Sequence, residues 1–135
     1  MNDKPVWLVG LIVLIGLLSA CSDLAPTDTD VPAEVAAIGD PDAGRLIFES
    51  GGSSAVPCAT CHTLDGTELV GPSLQDIADR AASRTTLSAE DYIRQSILDP
   101  SAYVVEDYAD VMYKDYANKL SPEDVDNVIA FLLSR

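Results

Sequence analysis

Cys58-Ala59-Thr60-Cys61-His62 is the stretch on which the reading of this chain turns. Two thiols three positions apart, with an imidazole directly after them, put three strong ligating groups into five residues. The chain has 135 residues but only three cysteines and one histidine, so His62 has no substitute. Metal chemistry that needs two imidazoles from this chain is therefore excluded. A thioredoxin-like Cys-x-x-Cys requires a βαβ setting, which the flanking sequence does not offer. A zinc site built on Cys58, Cys61 and His62 needs a fourth ligand, and no second paired motif supplies it. A disulfide between Cys58 and Cys61 would close a tight loop and leave His62 without a role.

The pattern that uses all three side chains is covalent attachment of c-type haem. Each cysteine reaches one vinyl group of the porphyrin, and the adjacent histidine presents its imidazole to the iron. Thioether bonds hold one haem c even in a domain too small to enclose it by packing. Attachment takes place outside the cytoplasm, so the motif also predicts export.

The amino terminus points the same way. Residues 6–20 form an unbroken run of fifteen apolar or small residues. A bilayer-spanning helix needs about 20, whereas the apolar core of a secretory signal is of this shorter size. Leu18-Ser19-Ala20-Cys21 resembles the lipobox of bacterial lipoproteins. That resemblance implies cleavage after Ala20, acylation of Cys21 and a bacterial cell-envelope location on the outer face of a membrane. The alternative is an uncleaved short membrane helix with an incidental cysteine. Residues 1–20 are thus expected to be a signal peptide. Cysteine usage agrees, with Cys21 for lipid and Cys58 and Cys61 for haem.

Residues 21–39 change character. Asp23, Asp28, Asp30 and Glu34 alternate with Thr, Ala, Pro26 and Pro32, with no apolar period. Such a stretch cannot bury enough surface to offset its ordering entropy and is expected to be a flexible tether. Its 18 residues past Cys21 would reach about 20–25 Å. The domain proper is then expected at 40–135.

Charge narrows the partners. With 22 acidic against 8 basic residues, the formal net charge is −14. Nucleic acid needs a basic face and is excluded. An acidic surface suits encounter with basic protein partners.

Four helices can be placed by their caps and spacing. Asp40-Pro41 gives an N-cap and a first-turn proline, Gly44, Ile47 and Phe48 share a face, and Gly51-Gly52 ends the helix. A second helix is predicted from Ser73, with Leu74 and Ile77 on its apolar side. A third has Ser88 as cap, Leu87 and Tyr92 as staple, and Pro100 as stop. The last has Ser121 as cap, Pro122 at its first position, Asp124 in the box position and Leu120 stapled to Val125. Val125, Val128, Ile129 and Leu132 then recur at helical spacing. No stretch alternates with a period of two. Residues 101–118 lack periodicity, and a loop that long is usually functional or disordered.

Over residues 40–135 the sequence resembles the small monohaem cytochrome c family. The resemblance implies an all-α cytochrome c fold, about four helices wrapped around one covalently bound haem. Gly44 and Phe48 look like the glycine and aromatic positions of the family's first helix, with Ile129, Phe131 and Leu132 as its contacts on the last. Gly71-Pro72-Ser73-Leu74 resembles the family's Gly-Pro-x-Leu segment, in which the proline carbonyl, here of Pro72, accepts a hydrogen bond from the ligating imidazole. Residues 96–112 resemble the segment leading to the axial methionine, here Met112. The family often has proline directly after it, where this chain has Tyr113. Elimination gives Met112 as well, because His62 is already used and no other methionine follows the leader. Lys114 and Lys119 are the competing ligands, each needing deprotonation, and a five-coordinate iron is the other alternative.

The expected function is single-electron transfer by a membrane-tethered carrier with His62 and Met112 on the iron, not an enzyme and without a small-molecule substrate. Two other readings remain at this level. One is a fixed haem subunit of a larger respiratory or photosynthetic complex, a layout similar to the monohaem lipoprotein subunit of alternative complex III. The other is a peroxidase or sensor with an open iron position.

Overall fold

The computed structural model describes residues 38–54 and 56–135. The expected signal, Cys21 and the tether through residue 37 lie outside the described residues. Helix α1 (Pro41–Ser50) begins where the cap signals place it, with the Asp40 carboxylate accepting from the N–H groups of Asp42 and Ala43. Gly51 ends it at φ +84°, a left-handed geometry that glycine adopts without strain.

Helix α5 (Pro122–Leu133) carries the reciprocal capping box of Ser121 and Asp124. Val125, Val128, Ile129, Phe131 and Leu132 are all buried, and each such side chain removed from water contributes about 1.5–3 kcal/mol. α1 and α5 form the most extensive helix pair among the described residues. Their close approach is fixed at Gly44, where a Cβ would lie 1.9 Å from the Asn127 carbonyl oxygen. One turn further on, the Phe48 and Phe131 rings meet at 5.5 Å. The polar contribution to this seam is Asn127, whose Oδ1 accepts the Asp40 N–H at 2.7 Å.

Helix α2 (Ile77–Ala81) is shorter and later than the predicted start at Ser73. The Ser73 hydroxyl takes the N–H groups of Gly66 and Gln75, and Asp76 is left-handed at φ +52°, so residues 73–76 form a turn. Helix α3 (Ala89–Leu98) is capped by Ser88 and ends before Pro100, as predicted. Arg94 pairs with Glu90 on its own helix and with Asp126 on α5 at 2.7 Å. The long segment 101–118 contains an element that periodicity does not reveal, the single-turn helix α4 (Tyr116–Lys119). It exists because the buried Tyr116 anchors it, donating from its hydroxyl to the Val56 carbonyl at 3.0 Å. Among the described residues there are thus five α-helices, two 3₁₀ turns and no strand, one α-helix more than expected.

Candidate functional site

Proline at position 57 leads into one turn of 3₁₀ helix at Cys58–Thr60. The Cys58 carbonyl accepts from both Cys61 N–H (3.1 Å) and His62 N–H (3.0 Å), which winds the motif into one tight turn. That winding brings Cys58, Cys61 and His62 onto the wall of a single cleft of about 1230 Å³, open mouth included. No disulfide joins Cys58 and Cys61. Burial pushes the Cys58 thiol pKa up.

The imidazole of His62 is held by backbone. Its Nδ1 lies 2.8 Å from the Pro72 carbonyl. A carbonyl only accepts, so Nδ1 carries the proton and Nε2 keeps its lone pair. Burial lowers the pKa of His62, which favours the neutral ring that a metal ligand must be. Gly71 is required here, since a Cβ would sit 2.4 Å from His62 Cε1. The segment around it is pinned by Gly71 N–H to Cys61 O at 3.0 Å and Leu74 N–H to Thr63 O at 2.8 Å.

Met112 is half-buried and lines the same cleft. Next to it, the Tyr113 ring stands edge-on to Tyr116 at 4.9 Å, so an aromatic clamp occupies the position where proline was the expected stiffener. Lys114 and Lys119 do not line the cleft. Lys114 bonds to Asp110 and Ser101, and Lys119 faces Asp115.

Several features in and around the cleft escape a sequence reading, among them the placing of Tyr92, Tyr103 and Tyr116 beside Tyr108 and Tyr113, the two that flank Met112 in sequence. All five tyrosines of the chain thus line the cleft, at 92, 103, 108, 113 and 116. Arg84 lines it too, and its Nε is buried without a hydrogen-bond partner. Asn127, which locks the helix pair behind the cleft, was also missed. The sequence signal for Arg84 is weak, because it follows α2 in a Ser- and Thr-rich stretch without periodicity.

These residues fit a haem. Two thiols match two vinyl groups, a neutral imidazole and a thioether match the iron, and the apolar and aromatic walls match the porphyrin. The unpartnered Nε of Arg84 matches a carboxylate on the porphyrin edge. A family model described as Cytochrome c matches residues 42–135.

The chain belongs to the cytochrome c family.

As a cytochrome c it has the all-α fold of that family, carries covalent haem c, and is an electron-transfer haem protein. Most members of the family are electron carriers and not enzymes. No curated protein matches the chain closely enough to count as a relative.

Proposed function

We propose that this cytochrome is a lipid-tethered carrier of single electrons, with His62 and Met112 as the two axial ligands of its haem and Cys58 and Cys61 as its thioether anchors. The observation that carries this reading is the convergence of these four side chains on one apolar cleft. When bound, the haem supplies the chemistry, a one-electron change at iron. The chain's residues do the rest. Pro72 fixes the ring orientation of His62 and strengthens its donor nitrogen. A thioether ligand and a low-dielectric wall both disfavour the more highly charged oxidised state and raise the potential. Arg84 counters a cofactor carboxylate that would otherwise be buried unpaired.

The anchoring half of the proposal rests on Leu18-Ser19-Ala20-Cys21. The several acyl chains of a bacterial lipoprotein give the stable anchoring that one chain does not.

The test is optical. Oxidised holoprotein should show the weak red absorption of a sulfur–iron(III) bond at neutral pH, and the reduced form should not bind carbon monoxide. Absence of that band, together with rapid carbon monoxide binding, would give the site to an open-iron enzyme or sensor. Cys21→Ala should leave the precursor unprocessed or outside the membrane fraction; normal cleavage and membrane retention would remove the lipid anchor from the proposal.

A further inference from the structure

Met112 sits in a stretch that its own backbone does not tie down. Among the described residues, no backbone–backbone hydrogen bond involves Met112, Tyr113 or Lys114. The nearest, Val111 N–H to Ala109 O at 2.9 Å, spans only two positions. Residues 110–115 hold neither helix nor strand. A loop without backbone ties opens readily unless side chains close it.

Three polar side chains close this one. Lys114 Nζ donates to the Asp110 carboxylate and to the Ser101 hydroxyl oxygen. The Ser101 hydroxyl in turn donates to the Asp110 carboxylate, whose oxygens lie 3.0 and 3.3 Å away. The donor and acceptor roles are consistent around the ring. Serine has one proton to give and gives it to Asp110, while its lone pair takes a proton of the ammonium group. Met112 is the middle residue of the five-residue segment whose ends, Asp110 and Lys114, are joined. Ser101 adds a fixed point, because it directly follows the buried Pro100 at the end of α3. Asp110 lines the cleft and Lys114 does not, so the ring runs from the cleft wall outward.

An isolated exposed ion pair contributes little. Lys119 and Asp115, 3.9 Å apart, make such a pair across α4, a turn already fixed by Asn118 N–H to Asp115 O and Leu120 N–H to Tyr116 O. The ring at Met112 differs in having a third member and in spanning a segment with no other tie. The loop it closes is short, so the entropy it must overcome is small.

We infer that Ser101, Asp110 and Lys114 are positioning residues for Met112, a polar clasp that sets how often the sixth ligand leaves the haem iron. The inference rests on the reading of Met112 as axial ligand and adds to it the groups that keep it there. The three side chains act through the loop and not on the iron. With the clasp closed, a released thioether stays beside the position it left. With the clasp open, the loop can swing away and the position stays free for longer.

Imidazole tests this, as a small ligand that takes the sixth position only when the thioether has left it. Its apparent affinity therefore scales with the fraction of time the position is open. Full-length oxidised holoprotein is titrated with imidazole at neutral pH, and loss of the red sulfur–iron band is followed. Lys114→Gln and Asp110→Ala should each tighten apparent binding by about two- to fivefold, the range that hydrogen-bonded surface charge pairs support. Ser101→Ala should act in the same direction. The double variant Lys114→Gln with Asp110→Ala should bind no tighter than either single one, because members of one ring fail together. Lys114→Arg keeps the charge and the donors and should match wild type. Lys119→Gln makes the same change in net charge outside the clasp and should match wild type too. An unchanged far-UV helix signal in every variant separates release of the ligand from loss of the fold.

Wild-type affinity in both Lys114→Gln and Asp110→Ala would overturn the clasp and leave Met112 to the aromatic pairs alone. Equal tightening in Lys119→Gln would reduce the effect to net charge and overturn it as well. The red band tells the two readings apart. Present in wild type alongside unchanged affinities, it removes the clasp and keeps the ligand. Absent from wild type, it takes Met112 off the iron and the clasp with it.

Discussion

The two walls that present His62 and Met112 are built by different means. On the histidine side, residues 62–74 are tied by backbone groups, through Gly71 N–H to Cys61 O, Leu74 N–H to Thr63 O, and the Pro72 carbonyl to His62. On the methionine side, the backbone bonds within 101–115 are short-range only, such as Tyr108 N–H to Val105 O and Val111 N–H to Ala109 O. What holds that wall to the rest is side chains. Tyr103 packs edge-on to Tyr92 at 5.8 Å, and Tyr113 packs on Tyr116. Backbone hydrogen bonds depend little on which side chains are present, so the histidine wall is robust to substitution except where space itself is needed. The methionine wall depends on each ring, and it is the wall expected to open first.

Gly71→Ala attacks the histidine wall at the point where space is needed. The new Cβ would overlap the His62 ring, 2.4 Å from Cε1 and 2.8 Å from Nδ1, and Nδ1 is held to the Pro72 carbonyl. Overpacking of this kind costs about 1–3 kcal/mol, occasionally more. Holoprotein yield should collapse, and the little recovered should show a perturbed haem spectrum; normal yield and spectrum would mean that the wall is softer than its hydrogen bonds suggest.

Met112→Ala removes the ligand from the other wall and should leave haem attached, since Cys58, Cys61 and His62 are untouched. The reduction potential should fall by on the order of 0.1–0.3 V, within the roughly 0.8 V that axial ligands command. Redox titration decides it, and a potential within experimental error of wild type would end the ligand assignment. Tyr113→Ala should act more gently, removing an aromatic pair worth about 0.5–1.5 kcal/mol beyond its burial. The red sulfur–iron band should then vanish at lower temperature than in wild type, while the haem stays covalently bound and the helices stay folded. Loss of band and helicity together would show one cooperative unit in place of two walls.

The smallest effect is a pH dependence. Burial raises the pKa of Tyr116 above its ordinary value. The folded state therefore holds a proton that the unfolded chain gives up near pH 10, and stability is full below that pH and falls as pH rises beyond it. Tyr116→Phe should flatten this alkaline slope while losing about 1 kcal/mol at neutral pH, from the bond to Val56. Denaturation measured at neutral pH and above pH 10 gives both numbers. An unchanged slope would assign the alkaline loss to another group.

The difference between the walls also explains what the sequence could tell. Cys58 to His62, Gly71-Pro72 and the caps at Asp40, Ser88 and Ser121 are local signals, each set by residues within a few positions of one another. They were legible, and the all-helical fold with them. The start of α2 was misplaced because Ser73 is a plausible cap whose hydroxyl is in fact taken by Gly66 and Gln75. Single-turn α4 was invisible because its reason for existing, Tyr116 reaching Val56, spans sixty residues. Arg84 and Asn127 were missed on the same ground, since an unpartnered guanidinium nitrogen or a buried amide is defined by its surroundings and not by its neighbours in the chain.

The bond from Asp40 N–H to Asn127 has a mechanical side. The described fold is entered from its amino-terminal end at Gly39 and Asp40, and the first grip on the chain is this side chain at the α1–α5 seam. Asn127 is the one buried polar residue of the core among the described residues, set where Gly44 lets the two helices interlock. A pull on the chain ahead of Gly39 would thus be felt first at the α1–α5 pair.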